Sequence, residues 1–388
     1  MNTGKYVFSQ LCSFLPQRVF DRIVLKYSGN YKIRHFSCWN QMLCMIFGQL
    51  SNRDSLRDLV VTINAHSAKL YHLGFGKGVS RTNLAKANEK RSYLIFQEYA
   101  THLVSEARRL CVSADDTGFS FNNTVYAFDS TIIDLCLSIF PWATFHHSKG
   151  AVKAHTQYDV RTSIPVFMQV TAGSVHDINM MDKISYEQNS FYIFDRAYTD
   201  FGRLYFIHCS KAFFVIRAKT DLKFNRVISQ PVDKTLNVRT DQLGYLKGFY
   251  SLKSYPEKLR KIKYYDVEQK RMLIFLTNNL ELKAHEIADI YKNRWKIELF
   301  FKWMKQHLRI TSFWGRTENA VKIQVYIAMI TYLLVAIVRE RLKSKYSGYE
   351  MLQILGASLL DKTPLNQLLQ KIYNQNVKEL LQNQLKIF

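Results

Sequence analysis

Two short apolar runs that each end in an aspartate constrain the fold of this chain most. The first run covers residues 123–128 and ends at Asp129, and the second covers residues 191–194 and ends at Asp195. Short apolar runs of this kind are typical of buried strands. Four further strand patterns and two helical patterns lie around them: 132–140, 149–159, 165–172 and 212–217, and 177–187 and 198–209. The alternation predicts an α/β domain with a mixed sheet, whose strand ends are where a site would form.

A later segment, residues 291–305, has the pattern of a helix with one polar face. A continuous helix would place Tyr291, Arg294, Glu298 and Lys305 within an arc of about 60°. Tyrosine, arginine and lysine donate to phosphate oxygens, and a glutamate binds hard metal ions. The other face is apolar, and we expect it to be buried: Trp295, Leu299 and Phe301.

The charge of the chain favours a polyanionic partner. The chain has 54 Lys and Arg residues against 31 Asp and Glu, a net charge of +23. Nucleic acid and an acidic membrane surface both fit such an excess. Residues 202–310 carry more than half of it. Within them, residues 222–279 predict a β-rich insertion that is both basic and aromatic.

Several patterns are missing from the sequence. The longest apolar run, residues 325–338, is shorter than the ~20 residues that span a bilayer, so it predicts a buried helix. The N-terminus lacks the pattern of a signal peptide, and the six cysteines form no CxxC motif. These features predict a cytoplasmic protein that does not bind a membrane.

Three regions are predicted along the chain. Residues 1–110 form a helical region, which either binds DNA or serves as a packing domain with a basic surface. Residues 111–345 form the α/β domain with its insertion. Residues 346–388 form a C-terminal helical region, for which dimerisation is the natural role.

Three carboxylates are candidates for a metal site. If Asp129, Asp195 and Glu298 converge, they can hold two divalent ions, which suits phosphodiester chemistry. Each also has a purely structural interpretation, as a turn, a helix cap or a partner of Arg294. The pair His176 and Asp177 is similarly open: it is an acid–base pair or the start of a helix.

The quoted residues also carry a family resemblance. Tyr291, Arg294, Glu298 and Lys305 match the signature Y-x2-R-x3-E-x6-K without a gap, while Asp129 lies in FDST and Asp195 in FDRAY. Three further segments agree: KAHTQYD at 153–159, TAGSVHD at 171–177 and SFWGRTENAVKIQ at 312–324. The chain resembles a DDE transposase of the insertion sequence 4 family of bacterial mobile elements.

This resemblance implies a fold, an activity and a set of roles. The fold is a ribonuclease-H-like catalytic domain with a β-rich insertion, and the activity is cut-and-paste transposition of DNA with Mg²⁺ or Mn²⁺, using two ions. Asp129, Asp195 and Glu298 would bind the metal. Three residues would contact DNA phosphates near the cleaved end: Tyr291, Arg294 and Lys305. Arg196, His176 and Asp177 are candidates for supporting the metal ligands indirectly.

The resemblance also implies partners. They are the terminal inverted repeats of a transposon, target DNA and a second copy of the chain in a synaptic complex at the bacterial nucleoid. In relatives a DNA hairpin is the intermediate, and a tryptophan of the insertion holds a flipped base. Here no tryptophan lies between Trp142 and Trp295, so either an aromatic residue such as Tyr250 takes that role or the base is held differently.

Two other functions are compatible with the sequence. One is a DNA-binding protein derived from a mobile element that has lost catalysis, which the intact set of three acids disfavours. The other is a metal-dependent nuclease of the same fold, which differs from a transposase in failing to join 3′ ends to target DNA.

Overall fold

A ten-stranded sheet forms the centre of the computed structural model, which describes residues 4–76, 78–111, 119, 121–146 and 149–370. Its strands are β1 (Val125–Leu135), β2 (Thr144–His146), β3 (Lys149–Asp159), β4 (Ile164–Ala172), β5 (Phe191–Phe194), β6 (Phe213–Arg217), β7 (Phe224–Gln230), β8 (Val238–Leu246), β9 (Leu259–Asp266) and β10 (Arg271–Thr277). They are ordered β2-β3-β1-β5-β6-β10-β9-β8-β7, and β4 pairs with β3.

Thirteen α-helices surround the sheet within the described residues. Six precede it: α1 (Val7–Cys12), α2 (Gln17–Lys26), α3 (Cys38–Leu50), α4 (Leu56–Ala65), α5 (Arg81–Lys90) and α6 (Leu94–Cys111). The others are α7 (Phe201–Cys209), α8 (Phe249–Ser254), α9 (Ala284–Lys292), α10 (Trp295–His307), α11 (Glu318–Arg341), α12 (Gly348–Ser358) and α13 (Leu365–Leu368). Short 3-10 turns cover Ser67–Lys69, Asp177–Lys183, Arg196–Tyr198 and Lys234–Leu236.

Five strands have the ribonuclease-H-like arrangement that was predicted. β4, β3 and β1 form an antiparallel meander, and β5 and β6 then continue the sheet parallel to β1. The parallel strands are almost wholly apolar and buried on both faces, as expected where helices cover a sheet. The α/β fold class is therefore confirmed.

The predicted β-rich insertion extends this same sheet. β10 pairs with β6 in antiparallel fashion, Phe275 opposite Arg217, and β9, β8 and β7 follow outward from β10. One part of the prediction was wrong, because residues 249–254 form helix α8 where we expected strand. Gly248, with a φ of 121°, redirects the chain after β8 and ends the strand there.

Asp129 does not lie at the end of a strand as predicted. Residues 125–128 of the first run and 132–135 of the second belong to the single strand β1, with which β3 pairs from Tyr126 to Leu135. The rest of the second predicted strand, residues 136–140, forms a turn. However, the parallel pairing of β1 with β5 ends at Ala127 and Ile193. Asp129 thus lies two residues beyond the parallel part, and Asp195 directly follows β5.

The predicted helix over residues 291–305 is two helices. α9 ends at Lys292 and α10 begins at Trp295. Between them the Arg294 N–H donates to the Tyr291 carbonyl at 3.0 Å, and the Arg294 carbonyl accepts from Ile297 at 3.2 Å. These bonds join residues three apart and so tighten the chain relative to an α-helix.

The turn also changes which face of α10 is buried. Ile297, Phe300 and Met304 are buried together with the predicted Phe301. Trp295 and Leu299, however, are 52% and 45% exposed, so their predicted burial was wrong. The turn means that α10 does not continue the helical phase of α9. Its buried stripe therefore consists of these four residues and differs from the stripe expected for one long helix.

The N-terminal helices share a hydrophobic core with α11. Tyr93, just before α6, stacks on Tyr326 of α11 with ring centroids 6.1 Å apart. By length and composition α11 alone among the described helices would suffice to cross a membrane, but 83% of its most apolar window is buried inside the protein. It is a core helix, as predicted for residues 325–338.

The described C-terminal helices return to the start of the chain. The Gln10 amide donates to the Thr363 carbonyl at 2.9 Å and accepts from the Leu365 N–H at 2.8 Å. Helices α12 and α13 fall within residues 346–388, for which helix was predicted. Residues 371–388 of that region lie outside the described residues. The division into regions at residues 110 and 345 stays a prediction.

Candidate active site

Arg294 joins two of the three predicted metal ligands. Its guanidinium donates to Asp129 Oδ2 at 3.0 Å and also to the Glu298 carboxylate, one helical turn further on. Asp129 belongs to β1 and Glu298 to α10, which packs against β1. The fold therefore brings these two carboxylates to a single cation.

Asp195 is linked to the same site by a hydrogen bond from Tyr291. The Tyr291 hydroxyl donates to Asp195 Oδ1 at 3.4 Å. Its ring is buried against Phe275 of β10, with centroids 4.7 Å apart, and burial raises the pKa of Tyr291 to about 12. Tyr291 is therefore a neutral donor at physiological pH.

Burial governs the ionisation of Asp129. It raises the pKa of this carboxyl to about 6, and the charges of Glu298 and Asp195 act in the same direction. The Ser130 N–H, which donates to Asp129 Oδ1 at 2.8 Å, and the Arg294 charge oppose the increase. Negative charge is thus concentrated around the Arg294 guanidinium.

These residues fit a hard divalent cation only after a rearrangement. Across the described residues, no group of three or more His, Cys, Asp or Glu side chains is close enough to hold an ion as it stands. The Arg294 guanidinium takes the place between two of the carboxylates. Their oxygen donors are the kind that Mg²⁺ prefers, and a divalent ion would balance the charge that the guanidinium now balances.

Buried hydroxyls around Asp129 support the same conclusion. The Tyr198 and Thr156 hydroxyls are buried and make no hydrogen bond of standard geometry within the described part of the chain. Thr156 pairs with Asp129 in the register of β1 and β3. Burial, and after it the charges of Asp129 and Asp177, raise the pKa of Tyr198. Unsatisfied buried hydroxyls indicate a site where ordered water or an ion belongs.

Lys305 lies on the same side of α10 but makes a different contact. Its ammonium donates to the Ile132 carbonyl of β1 at 2.7 Å. Burial lowers the pKa of Lys305, and the nearby Asp134 carboxylate partly offsets this. Lys305 therefore ties α10 to the half of β1 that follows Asp129.

The three residues predicted to support the ligands differ in placement. The side chains of Arg196 and His176 are exposed and have no hydrogen-bond partner among the described residues. Asp177 instead accepts a hydrogen bond of 3.0 Å from the Ser130 hydroxyl, next to Asp129. It opens a 3-10 turn and not the α-helix predicted for 177–187. Nearby, Asp200 caps α7 by accepting from the Arg203 N–H at 3.0 Å.

Three residues near the site were not predicted from the sequence. Ser130 contacts both Asp129 and Asp177, while Lys153 and His155 approach Asp177 to 3.2 Å and 3.5 Å. Lys153 and His155 lie two apart on β3, so they project from the same face of the strand. Two polar residues at that spacing in a buried strand are the signal that would have identified them.

The insertion presents aromatic rings on the surface. Phe249 and Tyr250 of α8 are 76% and 83% exposed and pack edge to face, 5.5 Å apart. Lys247 and Lys253 flank them in sequence and are exposed too. Exposed aromatic rings beside basic side chains suit single-stranded nucleic acid.

Comparison with known proteins relates this geometry to a family. A family model described as "Transposase DDE domain" matches residues 120–334. A second model, described as "Domain of unknown function (DUF4372)", matches residues 3–76.

Curated relatives agree with the first match. The Sinorhizobium fredii protein named "Putative transposase y4zB" is 32% identical over 66% of this chain and 70% of its own length. "Probable transposase for insertion sequence element IS5377" of Geobacillus stearothermophilus is 32% identical over 53% of this chain and 54% of its own length. "Putative transposase for insertion sequence element IS4SA" of Synechocystis is 24% identical over 74% and 80%.

A solved structure is also similar. The chain aligns with a cryo-EM structure of the piggyBac transposase synaptic complex with hairpin DNA, at 11% identity and a TM-score of 0.46, over 97% of this chain and 84% of that one. The DDE domain match covers more than half of the present chain, and all three relatives are named as transposases, two of them of insertion sequence elements. The protein therefore belongs to the DDE transposases, enzymes that cut and join DNA.

Proposed function

We propose that this transposase mobilises an element of the insertion sequence 4 family and that Asp129, Asp195 and Glu298 are its metal-binding residues. The observation that carries the proposal is the contact of Arg294 with both Asp129 and Glu298, with Asp195 adjacent through Tyr291. Arg294 and Asp129 are 165 positions apart in the sequence. A chance ion pair on the surface would not bring the two predicted aspartates together with the glutamate and arginine of the signature Y-x2-R-x3-E-x6-K.

DDE transposases use divalent metal ions, and we propose two Mg²⁺ ions here, with Mn²⁺ as a substitute. When bound, such ions activate a nucleophilic oxygen and stabilise the leaving oxygen of a phosphodiester. The protein's own contribution is orientation. The Ser130 N–H fixes the Asp129 carboxylate, and the Tyr291 hydroxyl does the same for Asp195.

Arg294, Tyr291 and Lys305 act on DNA in this proposal. Each carries a donor that suits phosphate oxygens near the cleaved end, and Arg294 offers a planar fork. Because Arg294 and Tyr291 both donate to carboxylates in the free protein, each has to exchange a carboxylate for phosphate when DNA and metal bind. Tyr250 is the proposed platform for a flipped base, since it is exposed on the insertion.

The proposed substrates are the terminal inverted repeats of the element and a target DNA, which the enzyme joins by cut-and-paste transfer. The net charge of +23 supports DNA as the partner. We assign end binding to residues 1–110, catalysis to residues 111–345 and dimerisation to residues 346–388. The working form is a homodimer that pairs two ends, in the bacterial cytoplasm at the nucleoid.

Substitution of Glu298 tests the proposal. Glu298→Gln should bind DNA with the element's terminal repeats at least as tightly as the unmodified protein. With Mg²⁺ it should cleave that DNA at least ~100-fold more slowly, because one charged metal ligand is lost. Glu268→Gln, the same change on an exposed turn, is the control. Cleavage by Glu298→Gln at the normal rate would refute the assignment.

A further inference from the structure

Four polar side chains, two of them buried, form a network next to Asp129, and the function proposed above does not use these side chains. We call them the Asp177 network: Ser130 on β1, Lys153 and His155 on β3, and Asp177 after β4. Asp177 Oδ1 accepts from the Ser130 hydroxyl at 3.0 Å and lies 3.2 Å from Lys153 Nζ and 3.5 Å from His155 Nδ1.

Hydrogen bonds of Lys153 and His155 to other residues hold the network in place. The Lys153 ammonium, only 7% exposed as a residue, also donates to the Val175 carbonyl at 2.9 Å. His155, which is fully buried, has its Nε2 at 2.9 Å from the Thr171 hydroxyl. A buried ammonium requires a compensating anion, so moving Asp177 away from Lys153 would cost free energy. Asp177 is therefore a fixed anchor between β3 and the end of β4.

Ser130 links that anchor to the proposed metal ligand. Its hydroxyl donates to Asp177, while its backbone N–H donates to Asp129 Oδ1 at 2.8 Å. Ser130 is also directly opposite His155 in the register of β1 and β3. The hydroxyl bond ties the Ser130 segment of β1 to Asp177, and the backbone N–H of that same segment orients the Asp129 carboxylate. The Asp177 network therefore restricts the orientation of Asp129 through the position of Ser130.

We propose that Ser130 and Asp177 are positioning residues that hold Asp129 in the orientation needed to bind the catalytic metal. This inference rests on the proposed role of Asp129 in metal binding. Groups that orient a metal ligand typically change metal affinity by about 10- to 100-fold when they are removed. A role confined to holding β1, β3 and β4 together would instead change thermal stability and leave metal affinity as it is.

Mn²⁺ binding to the full-length protein without DNA tests this, by calorimetry and by electron paramagnetic resonance of the bound ion. Ser130→Ala leaves the Lys153–Asp177 pair intact and should weaken Mn²⁺ binding about tenfold or more. Asp177→Asn should weaken it similarly. Ser130→Thr, which keeps a hydroxyl, should restore most of the affinity. Circular dichroism and the melting temperature confirm that each variant is folded.

Two controls make the outcomes distinguishable. Asp241→Asn breaks a buried pair with Arg260 in the insertion, so it should lower the melting temperature without changing Mn²⁺ affinity. Glu298→Gln should weaken Mn²⁺ binding if the metal site itself is assigned correctly. Normal affinity in Ser130→Ala and Asp177→Asn alongside a loss in Glu298→Gln would overturn the positioning role alone. Normal affinity in Glu298→Gln would overturn the metal site.

Discussion

Arg294 donates a hydrogen bond of 3.0 Å to Asp129, although 165 residues separate them in the chain. The same guanidinium contacts Glu298, and together these contacts neutralise a site in which burial raises the pKa of Asp129 to about 6. Arg294 thus competes with any cation that would bind both carboxylates. Loading of the site with metal and release of Arg294 toward DNA are consequently coupled steps in the proposed function.

Substitution of Arg294 should therefore tighten metal binding while weakening the handling of DNA. We expect Arg294→Gln to bind Mn²⁺ about tenfold more tightly without DNA, since loss of the guanidinium leaves carboxylates that repel each other. Calorimetric titration measures this. Arg226→Gln, on the exposed strand β7, removes the same charge elsewhere and should not change the affinity. Weaker Mn²⁺ binding by Arg294→Gln would show that Arg294 supports the metal site instead of competing for it.

Local sequence periodicity predicts the bounds of some strands and not of others. The buried strands β3 and β5 have the predicted bounds because their patterns are local: β5 is four apolar residues and nothing else. The extent of β1 depends on its pairing with β3, in which Asp129 lies opposite Thr156, 27 positions later in the chain, so its length was misjudged. Tertiary pairing outweighed the local pattern there.

The candidate site was predictable to the extent that its residues carry distinctive spacing. Asp129, Glu298 and Arg294 were all identified from the sequence and do lie together. The turn between α9 and α10 was not, because Asn293 and Arg294 are compatible with a continuous helix. Likewise, the spacing of Lys153 and His155 places them on one face of β3, but only the folded chain reveals that Asp177 lies beside them and compensates the charge of Lys153.

The stability of the protein should fall steeply in mild acid because of His155. Burial lowers the pKa of His155 to about 4 from an ordinary 6.5, so the folded state keeps the imidazole neutral while the unfolded chain binds a proton. Stability from this source is fully present above pH 6.5 and is lost as pH falls toward 4. The loss amounts to about 3 kcal/mol at most.

Urea unfolding between pH 7 and pH 4.5 checks this expectation. His155→Gln should show a shallower decrease in the free energy of unfolding over that range, whatever its stability at pH 7. His176→Gln removes an exposed imidazole and should keep the slope of the unmodified protein. Equal slopes for His155→Gln and the unmodified protein would mean that His155 is not held neutral in the fold.

Tyr250 should contribute stacking and not hydrogen bonding if it holds a flipped base. Tyr250→Ala should weaken the binding of hairpin-ended transposon DNA by about 5- to 100-fold, the range expected for the loss of one base–aromatic stack. Tyr250→Phe keeps the aromatic face and should bind nearly as well as the unmodified protein. Fluorescence of 2-aminopurine at the terminal nucleotides reports the stack directly. Equal binding by Tyr250→Ala would assign the flipped base to another residue.

Lys305 offers the most direct test of phosphate contact on α10. The affinity for DNA falls with salt in proportion to the number of phosphates neutralised, so one lost contact should reduce the slope of log K against log salt concentration by about one unit. We expect this of Lys305→Gln, measured by fluorescence anisotropy with DNA carrying the terminal repeats. Lys305 also holds the Ile132 carbonyl at 2.7 Å, so circular dichroism must first establish that α10 still packs on β1. Lys343→Gln, just beyond α11, removes the same charge and should leave the slope unchanged. If Lys305→Gln keeps both the slope and the affinity of the unmodified protein, then Lys305 serves only to fasten α10 to β1.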